Sequence, residues 1–336
     1  MKIFNLIIYF IFSLNLNSCS KGSNSVSINS TIPSLNKSLI ALPPGWKISG
    51  KYGLFFPPNI QVYEFDSIFQ NNKVKATCVV FNSKDTTIEF KPVLASGLSK
   101  PSDFFSNEKG TVYMCINGGY FGGTSSYSLV KYNNQTQSPN VRAVTRLFGG
   151  LNTTYYPTRA AFGILQNKQP DISWIYHPEY NDDTIYCYSS PSPNLINNPP
   201  VNQPTKSYPI GARPWNTISA IGGSPVLIKD SIVNITDAQE LISIDNNINR
   251  SRSAIGFTQN GIIILIAVQG NNPIYSGINL SGLASILYNL GCTNAINLDG
   301  GSSTSLIIGG QMSIMDGGSS ASETPVKSAI IIKLKQ

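Results

Sequence analysis

Short apolar runs, each closed by Gly, Pro, Asn, Asp or Ser, recur along this chain and limit it to a fold built mainly from short strands. Gln61–Phe65 alternates between polar and apolar, and Lys73–Phe81 becomes apolar toward its end. Asn82–Asp85 reads as a turn before Thr87–Phe90. Val112–Ile116, Ala160–Leu165, Ser219–Ile221, Val226–Ile228, Ala254–Phe257 and Ile262–Val268 are further strand candidates. Helical spacing stands out once: Leu283, Ile286, Leu287 and Leu290 follow Ser281, a good N-cap, and Gly291 closes the helix. The expectation is an α+β fold: a β-rich single large domain with mixed sheets and a few packed helices, over residues 41–336.

The amino terminus reads differently. After Met1 and Lys2, the apolar run from Ile3 to Leu16 is about 14 residues, too short to span a bilayer but suited to the core of a secretory signal. It ends in Leu16-Asn17-Ser18-Cys19, which resembles a bacterial lipobox cleaved before Cys19. Residues 1–18 are therefore expected to form a lipoprotein signal peptide, with lipid on the Cys19 sulfur. Residues 19–40, rich in Ser, Asn, Lys and Gly, lack the apolar surface to fold and read as a flexible tether. The expected location is extracytoplasmic, at an outer membrane facing the periplasm; surface display and the single membrane of a Gram-positive cell stay open.

Charge and cysteine usage remove several function classes. The net charge of +7 is spread along the chain, with no basic run interleaved with aromatics, so nucleic acid is not an expected partner. An anionic ligand is compatible with that balance. Cys78, Cys115, Cys187 and Cys292 have no metal-ligand spacing, and His177, which reads as an ordinary loop residue, is the only histidine. One or two disulfides or buried free thiols are both open. With a single His and no nucleophile elbow, a Ser-His-Asp hydrolase is not expected.

Three glycine pairs follow apolar strands: Asn117-Gly118-Gly119, Gly222-Gly223-Ser224-Pro225 and Asp299-Gly300-Gly301-Ser302-Ser303. Adjacent glycines admit a ligand close to the backbone, and consecutive N–H groups can form a nest for an anion. Asn117 and Asp299 stand where a rigid strand would present them at its end. Arg159-Ala160-Ala161-Phe162-Gly163 and Arg252-Ser253-Ala254-Ile255-Gly256 share the form Arg-x-Ala-apolar-Gly. They are either similar strand starts by coincidence or two guanidinium groups at one sheet edge. Ser189–Arg213, dense in Pro and Asn, reads as a long surface excursion.

These motifs, in this order, resemble the phosphodiester glycosidase family, which includes the uncovering enzyme that removes N-acetylglucosamine from phosphodiester-linked mannose. The resemblance runs from about Leu42 to Lys335 and rests most firmly on Leu290-Gly291-Cys292 with Ala295–Ser303. It implies hydrolysis of the bond between a sugar's anomeric carbon and a phosphodiester oxygen, with an N-acetylglucosamine-1-phosphodiester-like substrate in cell-surface glycopolymers. Asp299 is then the expected nucleophile, general base or stabiliser of oxocarbenium-like charge. Arg252, with Arg159 second, would hold the phosphate, and Asn117 would orient sugar hydroxyls or the attacking water. Gly118, Gly119, Gly222, Gly223, Gly300, Gly301 and Ser302 would line the substrate. Relatives often place an acidic residue at the start of the helix, where this chain has Ser281-Gly282-Leu283-Ala284.

The chemistry suits the composition. A phosphodiester is a weaker base than an alkoxide and leaves with little protonation, so arginine and N–H groups can replace the second carboxylate of most glycosidases. Asp299, Asn117 and backbone carbonyls are hard ligands that suit calcium or magnesium, although the sequence establishes neither. The alternative is a non-catalytic glycan-binding lipoprotein, with Trp174, Tyr176 and Trp215 available for stacking or for the core. For the anchor, Cys19→Ser is expected to move the protein from the membrane fraction to the soluble fraction; unchanged attachment would overturn the lipoprotein reading.

Overall fold

The eight-stranded sheet that supports Asp299 shows how parity in the sequence sorts side chains into two layers. Ile263, Leu265 and Ala267 point into the central core, while Ile262, Ile264, Ile266 and Val268 point to the opposite face. The strand Ile262–Val268 is apolar throughout because both of its faces are covered. The computed structural model describes residues 37–53, 56–179, 184–242 and 246–336, and Lys37–Gln336 form one unit. The expected signal peptide, Cys19 and all but the end of the expected tether lie outside the described residues.

That sheet runs in the order Trp46–Ile48, Ile60–Phe69, Asn72–Asn82, Ile262–Val268, Arg252–Thr258, Cys292–Asn297, Val226–Lys229 and Ile232–Val233. A seven-stranded sheet has Arg159–Leu165 between Pro170–Tyr176 and Thr217–Gly222. In a five-stranded sheet, Val112–Asn117 lies between Ser305–Ile308 and Val326–Leu334. One central core joins the three, with Phe81, Ile255 and Ile296 from the first, Phe162 and Trp174 from the second, and Ile116 and Ile330 from the third. Fully burying a side chain of this size contributes roughly 1.5–3 kcal/mol.

The domain is β-rich, as expected, with two α-helices among the described residues. The expectation of mixed sheets is corrected, since each of the three large sheets is paired antiparallel throughout. A strand–helix–strand segment carries the chain into the Asp299 turn. Its strands, Ile262–Val268 and Cys292–Asn297, do run the same way, but Arg252–Thr258 lies between them and pairs antiparallel with both.

The helix between them spans Leu280–Asn289 and packs Leu283, Ile286 and Leu287 on the outer face of the sheet. Its N-cap is Asn279, whose side chain accepts from the Gly282 N–H at 2.8 Å, so Ser281 lies inside the first turn. Gly291 ends the helix with φ of +90°, a conformation that glycine adopts without strain. The first turn has no acidic residue.

Cys78, Cys115, Cys187 and Cys292 are buried free thiols, which settles the choice left open between thiols and disulfides for these four. The Pro- and Asn-rich excursion is pinned to Tyr155 and Thr158, which lead into the strand Arg159–Leu165, rather than detached. The Thr158 hydroxyl accepts from the Ser192 N–H at 2.8 Å, and the Tyr155 hydroxyl donates to the Asn198 carbonyl at 2.6 Å. Among the described residues no helix is long and apolar enough to cross a membrane.

Candidate active site

Strands from all three sheets end together around Asp299. Leu298 N–H donates to the Ser253 carbonyl at 2.9 Å, and Asp299 N–H donates to the Gly118 carbonyl at 3.1 Å. These two bonds set the Asp299 turn against the start of one strand and the end of another. The Ser224 N–H reaches the Asn297 carbonyl at 2.9 Å, bringing the Gly222–Pro225 turn to the same place.

Asn117 is the knot of this arrangement. It is fully buried, donates from Nδ2 to the Asp299 carbonyl at 2.7 Å, and accepts at Oδ1 from the Ser253 hydroxyl at 2.6 Å and the Ser305 N–H at 3.3 Å. With its amide so engaged, Asn117 holds the loop from beneath; the expected contact with substrate or water is not offered by this geometry. The same bonds bear on a metal. The amide oxygen that would join Asp299 as a hard ligand is already an acceptor twice over, and no cluster of three metal-binding side chains occurs among the described residues. The residues present do not fit a preformed calcium or magnesium site.

The glycine pairs serve close approach. A Cβ on Gly119 would lie 2.2 Å from the Gly222 carbonyl oxygen, and one on Gly223 would lie 2.3 Å from that of Asn297. The N–H groups of Gly118, Gly222 and Gly223 donate to the carbonyls of Ser328, Leu129 and Ala160. Gly118, Gly119, Gly222 and Gly223 therefore let the strand ends touch, and the anion nest expected from them is not formed. Gly300, Gly301 and Ser302 differ. The last two line an open cleft of about 690 Å³ with Arg250, Asn271, Asn272 and Asp316. A smaller cavity of about 170 Å³, lined by Phe81, Phe90 and Tyr132, lies at the opposite strand ends, away from Asp299.

Asp299 sits largely out of water, two residues before Gly301 in the cleft wall. Burial pushes its carboxyl up to about 6, although the Ser303 hydroxyl and the Gly300 N–H, at 2.9 Å, favour the ionised form. Close by, the Tyr120 hydroxyl donates to the Ser224 carbonyl at 3.0 Å and accepts from Asn297 Nδ2 at 2.7 Å. Burial and then the charge of Asp299 push that phenol well above the usual tyrosine range, while Arg252 and Arg159 pull the other way.

Both arginines of the repeated Arg-x-Ala motif begin strands and are buried. Arg252 donates from Nε to the Ile278 carbonyl at 3.1 Å and from Nη2 to that of Ile248 at 3.0 Å. Arg159 donates from Nε to the Glu240 carbonyl at 3.2 Å and from Nη2 to that of Leu241 at 3.4 Å. The two motifs thus make corresponding structures, each guanidinium fastening a loop over its strand. The arginine exposed in the cleft is Arg250, whose Nη1 lies 3.6 Å from where a Cβ on Gly301 would stand. The signal for it was its place two residues before Arg252.

Sequence reasoning also missed Glu240, a fully buried carboxylate that accepts from Ala160 N–H, Val226 N–H, Trp174 Nε1 and the hydroxyls of Ser224 and Thr236. No motif marked it. Trp174, Tyr176 and Trp215 are buried and belong to the packing, so they offer no stacking platform. His177 is buried at the end of the strand Pro170–Tyr176.

The model of the phosphodiester glycosidase family matches residues 111–333. The chain belongs to that family. The match includes Asn117, Arg159, Glu240, Arg250, Arg252 and Asp299. Over 85 residues the chain is 36% identical to an SPbeta prophage-derived uncharacterized protein, YomE, of Bacillus subtilis; this is 25% of the chain and spans only 13% of that relative. Among solved structures, a hypothetical protein from Synechocystis aligns with a TM-score of 0.57 and 20% identity over 88% of this chain and 64% of its own. The zebrafish N-acetylglucosamine-1-phosphodiester alpha-N-acetylglucosaminidase catalytic domain, auto-inhibited by its pro-peptide, aligns with a TM-score of 0.52 and 14% identity, over 88% and 84%. These two structures show a shared fold.

In this family member the raised Asp299 carboxyl has a cost in stability. Because its folded pKa exceeds the unfolded one, ionisation favours the unfolded chain. The deficit begins as pH rises through the ordinary value of 3.8 and is complete above about 6. It amounts to about 3 kcal/mol. Asp299→Asn, which keeps an acceptor for Gly300, is expected to raise the thermal midpoint by a few degrees at pH 7 and hardly at all at pH 4. Equal midpoints at both pH values would contradict this.

Proposed function

We propose that this family member hydrolyses the bond between a sugar's anomeric carbon and a phosphodiester oxygen, acting on N-acetylglucosamine-1-phosphodiester-like groups of surface glycopolymers while anchored through lipid on Cys19. The observation that supports this most is Asp299 itself: a largely buried carboxylate, in a turn held by strand ends, two residues before the Gly301 that lines a polar cleft with Arg250. In its ionised form it acts on the anomeric carbon directly or takes a proton from the attacking water. The C–O bond to the phosphodiester breaks, and the leaving group departs as an anion with its charge already delocalised.

Arg250, with the amides of Asn271 and Asn272, offers the charge and hydrogen bonds that such an anion needs. Holding the phosphate thus passes from Arg252, whose guanidinium fastens the Ile248 and Ile278 carbonyls, to Arg250. Arg252 and Arg159 add positive field around Tyr120.

The test is incubation of the detergent-solubilised protein with N-acetylglucosamine joined through its anomeric phosphate to a second alcohol. Sugar release is expected, with kcat rising as pH passes through about 6 and holding above it. Asp299→Ala, with its fold intact, is expected to lose roughly 1,000-fold or more in kcat. Binding without release would favour a glycan-binding lipoprotein. A rate that falls above pH 6 would overturn the base or nucleophile role of Asp299.

A further inference from the structure

A buried carboxylate that meets five donors, three of them from strands of two sheets, beside the Ser224 turn asks for an explanation beyond filling space. Glu240 Oε2 accepts from the Ala160 N–H at 2.9 Å and the Ser224 hydroxyl at 2.6 Å. Its Oε1 accepts from the Val226 N–H at 2.8 Å, the Thr236 hydroxyl at 2.6 Å and the Trp174 indole at 3.0 Å. Ala160 and Trp174 belong to the seven-stranded sheet and Val226 to the eight-stranded one, so a single side chain locks the two together. Only a carboxylate accepts at both oxygens; glutamine would turn an N–H toward an N–H. No lysine or arginine ion pair neutralises Glu240 among the described residues, and such a charge is costly to bury.

The consequences run toward the site. Ser224, clamped by Glu240, presents the carbonyl that receives both the Tyr120 hydroxyl and the Asn297 amide. Asn297 stands two residues before Asp299, and Tyr120 lies within reach of its charge. On its other side, the Glu240 main chain receives the Arg159 guanidinium.

We propose that Glu240 is a positioning residue for the Asp299 site, acting through the Ser224 turn on Tyr120 and Asn297 and through its own carbonyl on Arg159. The inference rests on the hydrolase reading for its kinetic part alone. Around Asp299 its ionisation is set by burial, Ser303 and the Gly300 N–H, and Tyr120, itself in the field of Arg252, feels its charge. Around Glu240 they are Ser224, Thr236, Trp174 and Arg159. The proposal links the two sets through one hydroxyl and one carbonyl of Ser224.

The experiment compares the full chain with Glu240→Gln and Ser224→Ala. The second variant removes one donor, leaves the carboxylate its other four, and stands if the first does not fold. A remote core change, Ile264→Val, serves as the control for lost stability. The primary readout is the titration of Asp299, followed by carbon-13 NMR on aspartate-labelled protein. A shift of at least ~0.5 pH unit is expected in the folded Ser224 variant and none in the control. Sugar release is expected to fall ~10-fold in kcat with KM within ~2-fold. An Asp299 titration unchanged in Ser224→Ala overturns the proposal whatever kcat does. If the wild type releases no sugar, that failure belongs to the hydrolase reading, and the titration still decides the role of Glu240.

Discussion

The buried amide of Asn117 is the contact on which this architecture turns. Its nitrogen holds the Asp299 carbonyl, and its oxygen holds Ser253 and Ser305, so one side chain joins the end of the five-stranded sheet to the eight-stranded one. Loss of such a group inside the protein leaves several polar partners unsatisfied, each at a cost of roughly 1–3 kcal/mol. The third sheet joins through the Glu240 carboxylate and by close contact. Gly119 meets the Gly222 carbonyl and Gly223 meets that of Asn297, at distances that exclude any side chain. The strand ends therefore close into a rigid collar, and Asp299 stands in it.

Rigidity lets the collar keep charges where water would not leave them. Asp299 is held with its carboxyl at about 6, and Arg159 is desolvated yet kept close by Glu240. Each of these is unfavourable alone, and the surrounding hydrogen bonds hold both in place. The four antiparallel neighbours of the two Arg-x-Ala strands provide the frame, since Arg159 and Arg252 each begin a strand paired on both sides.

Much of this was legible in the sequence, because apolar strands that end in glycine pairs mark where a chain turns. The Asp299 loop, the strands on either side of it and the helix Leu280–Asn289 follow from local pattern. What local pattern could not show was direction. Asn117 points inward because Ser253 and Ser305 arrive from far along the chain. Arg252 is covered and Arg250 exposed because the strand begins at Arg252, so the inner residue of the pair looked like the ligand. Glu240 was invisible because its partners lie between 4 and 80 residues away and form no motif. The strand Val326–Leu334 went unmarked, although Ala329–Ile332 is a buried apolar run like Ile262–Val268.

The central claim is that a sugar phosphodiester binds with its anomeric carbon at Asp299 and its phosphate over Gly301 and Ser302. A crystal structure of Asp299→Asn with an uncleaved N-acetylglucosamine-1-phosphodiester tests this most directly. The expected result is the anomeric carbon within about 3.5 Å of the residue 299 side chain and the phosphate at Arg250, Asn271 and Asn272, with the second alcohol toward the open side of the cleft. A ligand seated elsewhere, such as in the cavity lined by Phe81, Phe90 and Tyr132, would contradict it.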